Sequence, residues 1–189
     1  MRPIPVDIIP SHIYLSQEDQ AALFGIGHPM TIIEERTQAG QFVYEETVEV
    51  FGKLKRSLRL RVLGPNWERS VVEITPTEAM FLGLTPIAAK TGDLSGAEPC
   101  RLVGPEGEVK IASAVTAPRP HLLCSPEEAA DMHISNGQTI SVDLISDQPK
   151  MIENIIVRVH PTFRLRIELH QDYARDFWIT RPVHARVRD

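Results

Sequence analysis

Two histidines open the same short pattern at separate places in the chain. His12-Ile-Tyr-Leu-Ser16-Gln-Glu18-Asp19-Gln-Ala21 is repeated, 109 residues on, as His121-Leu-Leu-Cys-Ser125-Pro-Glu127-Glu128-Ala-Ala130. Each histidine lies at the end of an apolar segment, four residues before a serine that begins a helix-start signal. An imidazole so placed can ligate a metal or handle a proton. On a strand, the side chain two positions further on shares its face, so a paired ligand would have to come from Tyr14 in one copy and Leu123 in the other. Tyrosine binds a divalent ion only as phenolate, against a reference pKa near 10, and leucine has no donor atom. The second ligand is weak in the first copy and absent in the second.

The elements that must hold these histidines are short. Thr47-Val-Glu-Val-Phe51, Leu58-Arg-Leu-Arg-Val-Leu63, Ser70-Val-Val-Glu-Ile74, Val109-Lys-Ile111, Thr139-Ile-Ser-Val-Asp-Leu144 and Ile155-Ile-Val-Arg-Val159 alternate apolar and polar residues or are β-branched, and read as strands. Ser16-Gln-Glu-Asp19, Thr75-Pro-Thr-Glu78 and Ser125-Pro-Glu-Glu128 place a hydroxyl at an N-cap and an acid three residues on, the capping-box pattern. Gln171-Asp-Tyr-Ala174 reads as a fourth, weaker helical turn. Gly64-Pro65 and Gly104-Pro-Glu-Gly107 are turn signals, the second placed like a hairpin.

The expected fold is mainly β with short α-helices: two similar small β-barrel domains from an internal duplication. The spacing of the repeat puts a first barrel half at 1–90 and a second at 91–189, with strands open to exchange between them. Residues 83–99, rich in Gly, Pro, Thr and Ser, read as a link or decoration.

Composition excludes several classes. Against 20 Lys+Arg stand 25 Asp+Glu, and the pI is near 5.8, so no electrostatic footprint for nucleic acid exists. No apolar run approaches a membrane span, and Met1-Arg-Pro-Ile-Pro-Val is no signal-peptide core; a cytoplasmic protein is expected. Cys100 and Cys124 form neither a CxxC pair nor a disulfide framework and read as reduced thiols in the core. From Ile155 to Asp189 there are seven arginines and four acids. That stretch reads either as a solvated tail packed by the Phe177-Trp178 pair or as a docking surface for a partner or for the phosphates of a small-molecule ligand.

Several segments in order resemble the PduL-type phosphotransacylases: His12-Ile-Tyr-Leu-Ser-Gln-Glu-Asp19, Gly40-Gln-Phe-Val-Tyr-Glu-Glu-Thr-Val48, Arg61-Val-Leu-Gly-Pro65, Gly92-Asp-Leu-Ser-Gly96, Leu102-Val-Gly-Pro-Glu-Gly107, His121 to Glu128, and Asn136-Gly137. The likeness runs from about residue 5 to about residue 175. It implies two β-barrels with a dinuclear zinc site, and coenzyme A exchanged for phosphate on a short acyl group. A microcompartment-targeting extension of the family kind is not seen before the first motif.

Carried over residue by residue, the resemblance is incomplete. The family's first His-x-His, preceded by arginine, reads here Ser11-His12-Ile-Tyr14; the second reads His121-Leu-Leu123. Its carboxylate ligand matches Glu73, but Trp67 stands where the family has a phosphate-holding arginine. Its last histidine aligns with Glu168. The implied metal set is therefore His12, Glu73 and Tyr14 at a first zinc site, and His121 and Glu168 at a second, against the three protein ligands usual for catalytic zinc. Ser11, Trp67 and Leu123 mark what has been replaced. Trp67 removes a bidentate phosphate clamp; Arg69 and Arg119 are the candidates to restore phosphate or coenzyme A binding. Alternation leaves Glu73 on either face of its strand.

Three readings follow: a phosphate acyltransferase homologue with impaired or altered catalysis; a non-catalytic relative that binds coenzyme A or a nucleotide, or partners an active homologue or a second copy of itself; and a single-metal acyl-thioester hydrolase. Acyl-CoA or a related small molecule is the expected ligand.

Overall fold

The computed structural model describes residues 2–36, 38, 40–85, 88, 89, 92–145 and 150–188. In chain order its elements are β1 (Ile4–Ile9), β2 (His12–Ser16), α1 (Gln17–Phe24), β3 (Ile32–Glu35), β4 (Phe42–Phe51), β5 (Ser57–Trp67), β6 (Val71–Glu73), α2 (Pro76–Phe81), β7 (Ala88–Ala89), β8 (Glu98–Val103), β9 (Glu108–Pro118), β10 (His121–Cys124), α3 (Pro126–Asp131), β11 (Thr139–Ile145), β12 (Met151–Val159), β13 (Arg166–His170), α4 (Gln171–Asp176) and β14 (Val183–Val187). They form two compact units. Unit 1 is Met1–Pro10 with Arg119–Asp189, and unit 2 is Ser11–Pro118.

Unit 1 is a closed barrel of strand order β1-β13-β10-β12-β11-β14. Its core holds Ile4, Val6, Leu122, Cys124, Val142, Ile155, Val157, Ile167, Leu169 and Ala185. In unit 2, β8 pairs with both β4 and β9, so pairing runs β9-β6-β2-β5-β4-β8 and back to β9. Its core includes Ile13, Leu15, Val48, Val50, Val62, Val72, Ile74, Leu102 and Val115.

The two circuits match pair by pair. The parallel pairs β6–β9 and β2–β5 correspond to β13–β1 and β10–β12, and the four remaining antiparallel pairs correspond likewise. Chain order matches as well, so β1 to β8 repeat as β9 to β14 once β3 and β7 are set aside. The first strand of each repeat pairs in the unit built from the other repeat: β1 joins β13 and β14, and β9 joins β6 and β8.

The helix starts follow the sequence. Thr75 and Ser125 each form a reciprocal capping box, with Glu78 and Glu128. Ser16 accepts from the Asp19 amide, but the Asp19 carboxylate is taken by the Ser70 hydroxyl. The Gly104–Gly107 turn joins β8 to β9 and is pinned to α1, the Glu106 amide donating to the Leu23 carbonyl at 3.0 Å.

Some expectations need correction. Gly64-Pro65 is no turn: β5 continues through it, and the glycine makes room for the Tyr44 ring, whose Cε2 lies 2.6 Å from where a Cβ at residue 64 would be. The described part of 83–99 is no linker; it supplies β7 and the start of β8 to unit 2. Residues 86, 87, 90 and 91 of that stretch lie outside the described residues. The C-terminal section is no solvated tail either. Val183, Ala185 and Val187 alternate with polar residues, Ala185 is fully buried, and β14 closes the unit 1 barrel against β1 and β11. Among the described residues no helix is long and apolar enough to cross a membrane.

Candidate functional site

In unit 2, β2 lies between parallel β5 and antiparallel β6, and this register sets His12 opposite Glu73. Both side chains point away from the core cluster, yet they are 5% and 4% exposed. Simple alternation left Glu73 free to face solvent; the register turns it toward His12 instead, with Nε2 to Oε2 at 3.3 Å. On the far side of Glu73, β9 brings Thr116 into the same row. Thr116 is 1% exposed, and its hydroxyl has no hydrogen-bond partner among the described residues.

The neighbouring row is aromatic. Tyr14 meets His12 edge-on, ring centroids 5.2 Å apart, and stacks on Trp67 with centroids 3.9 Å apart and planes 10° from parallel. Trp67 in turn lines a groove of about 510 Å³ with Glu68, Arg69, Val71, Asp93, Leu94 and Ser95. The Gly92–Gly96 motif forms one wall: the Ser95 amide donates to Asp93 Oδ1, and the Ser113 hydroxyl holds the Leu94 carbonyl. Arg69 is exposed and lies not on a strand but in the bend between β5 and β6. Ser11 does not reach this row; its hydroxyl donates to Glu78 in the α2 cap.

Unit 1 repeats the plan. His121 faces Glu168 across β10 and β13, and Asp7 on β1 pairs with Glu168 on the other side. His121 is buried, Glu168 and Asp7 are half-buried, and all three lie on the face turned from the barrel core. The positions of Tyr14 and Val71 in unit 2 are taken by Leu123 and Arg166. Arg166 donates to Asp7 and is 9% exposed. Arg119 is exposed at the start of β10, close enough to Tyr173 that its charge partly offsets the upward push of burial on the phenol.

As metal-binding sets these clusters fall short. Unit 2 brings together His12 and Glu73, with the Tyr14 ring committed to its stack; unit 1 brings together His121 and Glu168 beside an apolar Leu123. Among the described residues no three His, Cys, Asp or Glu side chains stand together so as to hold a metal ion, and within either unit the donors do not fit catalytic zinc. Neither cysteine supplies a thiolate. Burial pushes Cys100 up to about 12 and Cys124 up to about 11, with Asp19 and Glu128 adding to it.

Sequence reasoning passed over Asp7, Thr116 and Arg166. Arg166, Glu168 and His170 stand at i, i+2 and i+4, so their common face was readable. The partners on β1 and β9 come from the other repeat and leave no local signal.

A family model described as phosphate propanoyltransferase matches residues 5–179. The chain is 36% identical over 174 residues to the phosphate propanoyltransferase of Escherichia fergusonii, covering 92% of this chain and 82% of that protein. It is 35% identical to that of Salmonella typhimurium with the same coverage. Against that of Priestia megaterium it is 32% identical over 171 residues, covering 90% and 79%.

Proposed function

We propose, for a chain that belongs to the phosphate propanoyltransferase family, that it binds acyl-CoA or a closely related thioester and transfers the acyl group to phosphate poorly. The observation that carries this reading is the Tyr14–Trp67 stack. Two positions where the resemblance expects a histidine and a phosphate-holding arginine carry instead two rings packed on each other. An indole offers one N–H donor and an apolar face where a guanidinium offers a planar fork matched to phosphate. Orthophosphate entering beside His12 and Glu73 would exchange its hydration for an aromatic surface, with no fixed cation in the stack to compensate.

The binding half of the activity has better support. The groove beside Trp67 is lined by an exposed arginine, Arg69, flanked by the acids Glu68 and Asp93, with the hydrogen-bonded Gly92–Gly96 loop as a wall. A guanidinium suits the phosphates of coenzyme A, and the indole edge suits its apolar parts.

The test is coenzyme A affinity by calorimetry alongside CoA release from propanoyl-CoA, with and without phosphate. Binding in the micromolar range, with slow phosphate-dependent release that rises in Trp67→Arg, is expected. Rapid phosphate-dependent release by the natural chain, lost in His12→Ala, would refute the impairment; absence of coenzyme A binding would refute the ligand.

A further inference from the structure

We propose that Arg166 is a resident cation standing in for a divalent metal ion at the His121–Glu168 cluster, so that unit 1 balances its acidic row without metal. The row is set by register. Asp7, Glu168 and His121 sit side by side on β1, β13 and β10, all on the face turned from the barrel core. Two carboxylates in the row of one imidazole concentrate negative charge there and call for a cation, while among the described residues no three such side chains stand close enough to hold a metal ion.

Arg166 lies two residues before Glu168 on the same face, donates to Asp7, and faces Leu123 across the β10–β13 pair. Leu123 is the position a second histidine would occupy. The missing ligand and the added charge are therefore cross-strand neighbours. The counterpart of Arg166 in unit 2 is Val71, and that of Asp7 is Thr116, so the unit with a valine there also lacks the extra acid. Asp7 and Arg166 go together, as a charge-balanced insertion requires.

The choice of arginine matters physically. A buried lysine can lose its proton when a metal ion approaches, whereas a guanidinium stays charged at any pH a protein survives. At 9% exposure its field is only partly screened, and a second cation a few ångströms away is opposed in the medium of lowered dielectric. Restoring the histidine alone is then not enough to restore a metal site in unit 1.

This inference stands apart from the reading of acyl transfer, because its readout is zinc content and not turnover. Zinc bound per chain is measured by elemental analysis and calorimetry for the natural protein, Leu123→His, Leu123→His with Arg166→Val, and Tyr14→His. Leu123→His should gain no zinc, the double variant should gain about one ion per chain with at least a hundredfold tighter binding than Leu123→His, and Tyr14→His should gain zinc as a single change. A gain by Leu123→His equal to that of the double variant overturns the proposal, as does a folded double variant that gains none. Should the valine variant fail to fold by circular dichroism, Arg166→Gln replaces it. The comparison of the two single variants also stands by itself: equal zinc in Leu123→His and Tyr14→His overturns the proposal.

Discussion

Trp67 lies flat on Tyr14, planes 10° apart, and Tyr14 stands edge-on to His12, so three rings from β2 and β5 form one continuous contact, with the Glu73 carboxylate of β6 set opposite His12. The stack fixes the Tyr14 ring in place and makes it a packing residue first. Aromatic pairs of this geometry contribute about 0.5–1.5 kcal/mol beyond their buried area. Trp67→Ala should therefore lower unfolding stability by about 2–3 kcal/mol in urea, while Tyr14→Phe, which keeps the stack, should cost under about 1 kcal/mol. Equal losses would show that the phenol oxygen, and not the ring contact, is what matters at Tyr14.

His12 and Glu73 test a different interaction. Both are buried, and their contact at 3.3 Å is a charged pair whenever the imidazole is protonated. Removing one member of such a pair strands the other and costs about 3–5 kcal/mol, whereas replacing both by apolar groups is often close to neutral. Glu73→Ala should be strongly destabilising, and His12→Leu with Glu73→Leu should recover most of the loss. A double variant as unstable as the sum of its single changes would mean that the two residues do not act as a pair.

The repeat His12/His121 was legible because both copies kept the histidine, the hydroxyl cap and the strand-to-helix transition, all local features. The β class and the helix starts were legible for the same reason, through alternation and capping boxes. The partner strands were not. Glu73 and Glu168 face their histidines only because of register across 61 and 47 residues, and Asp7 and Thr116 join those rows from the opposite repeat. Long-range pairing of this kind leaves no periodicity to read. The β14 strand is a different case: Val183-His-Ala-Arg-Val187 alternates plainly, but it lies in an arginine-rich stretch whose charge masks the period.

The cysteines give a pH-dependent prediction with a definite sign. Burial is the main cause that raises Cys100 to about 12 and Cys124 to about 11, so at pH 8 the reactive thiolate is only on the order of one part in a thousand or less at either residue. The folded protein should resist iodoacetamide at pH 8 and take up two equivalents once unfolded in guanidinium. Because a raised thiol pKa favours the protonated form, the folded state loses stability only as pH climbs toward the folded values, above about 9. Alkylation of the folded protein within minutes would contradict the burial of both thiols.

Helix ends offer a stability prediction that does not touch the site. Helices α2 and α4 are equivalent in the two repeats and end in the same way. The Leu84 amide returns to the Ala79 carbonyl at 2.8 Å, and the Ile179 amide returns to the Ala174 carbonyl at 2.8 Å. Between cap and return stands a residue with positive φ: Gly83 at 74° in one, Trp178 at 55° in the other. Glycine occupies that region without steric penalty, while a side chain there costs roughly 1–2 kcal/mol. The Trp178 side chain is 80% exposed, so little packing offsets the cost. Trp178→Gly should raise unfolding stability by about 1 kcal/mol, and Gly83→Ala should lower it by at least as much, since its Cβ would also lie 2.6 Å from Leu54 Cγ. Chemical denaturation of the two variants decides the matter. A loss of stability in Trp178→Gly would mean that the exposed indole is held by contacts worth more than the strain it carries.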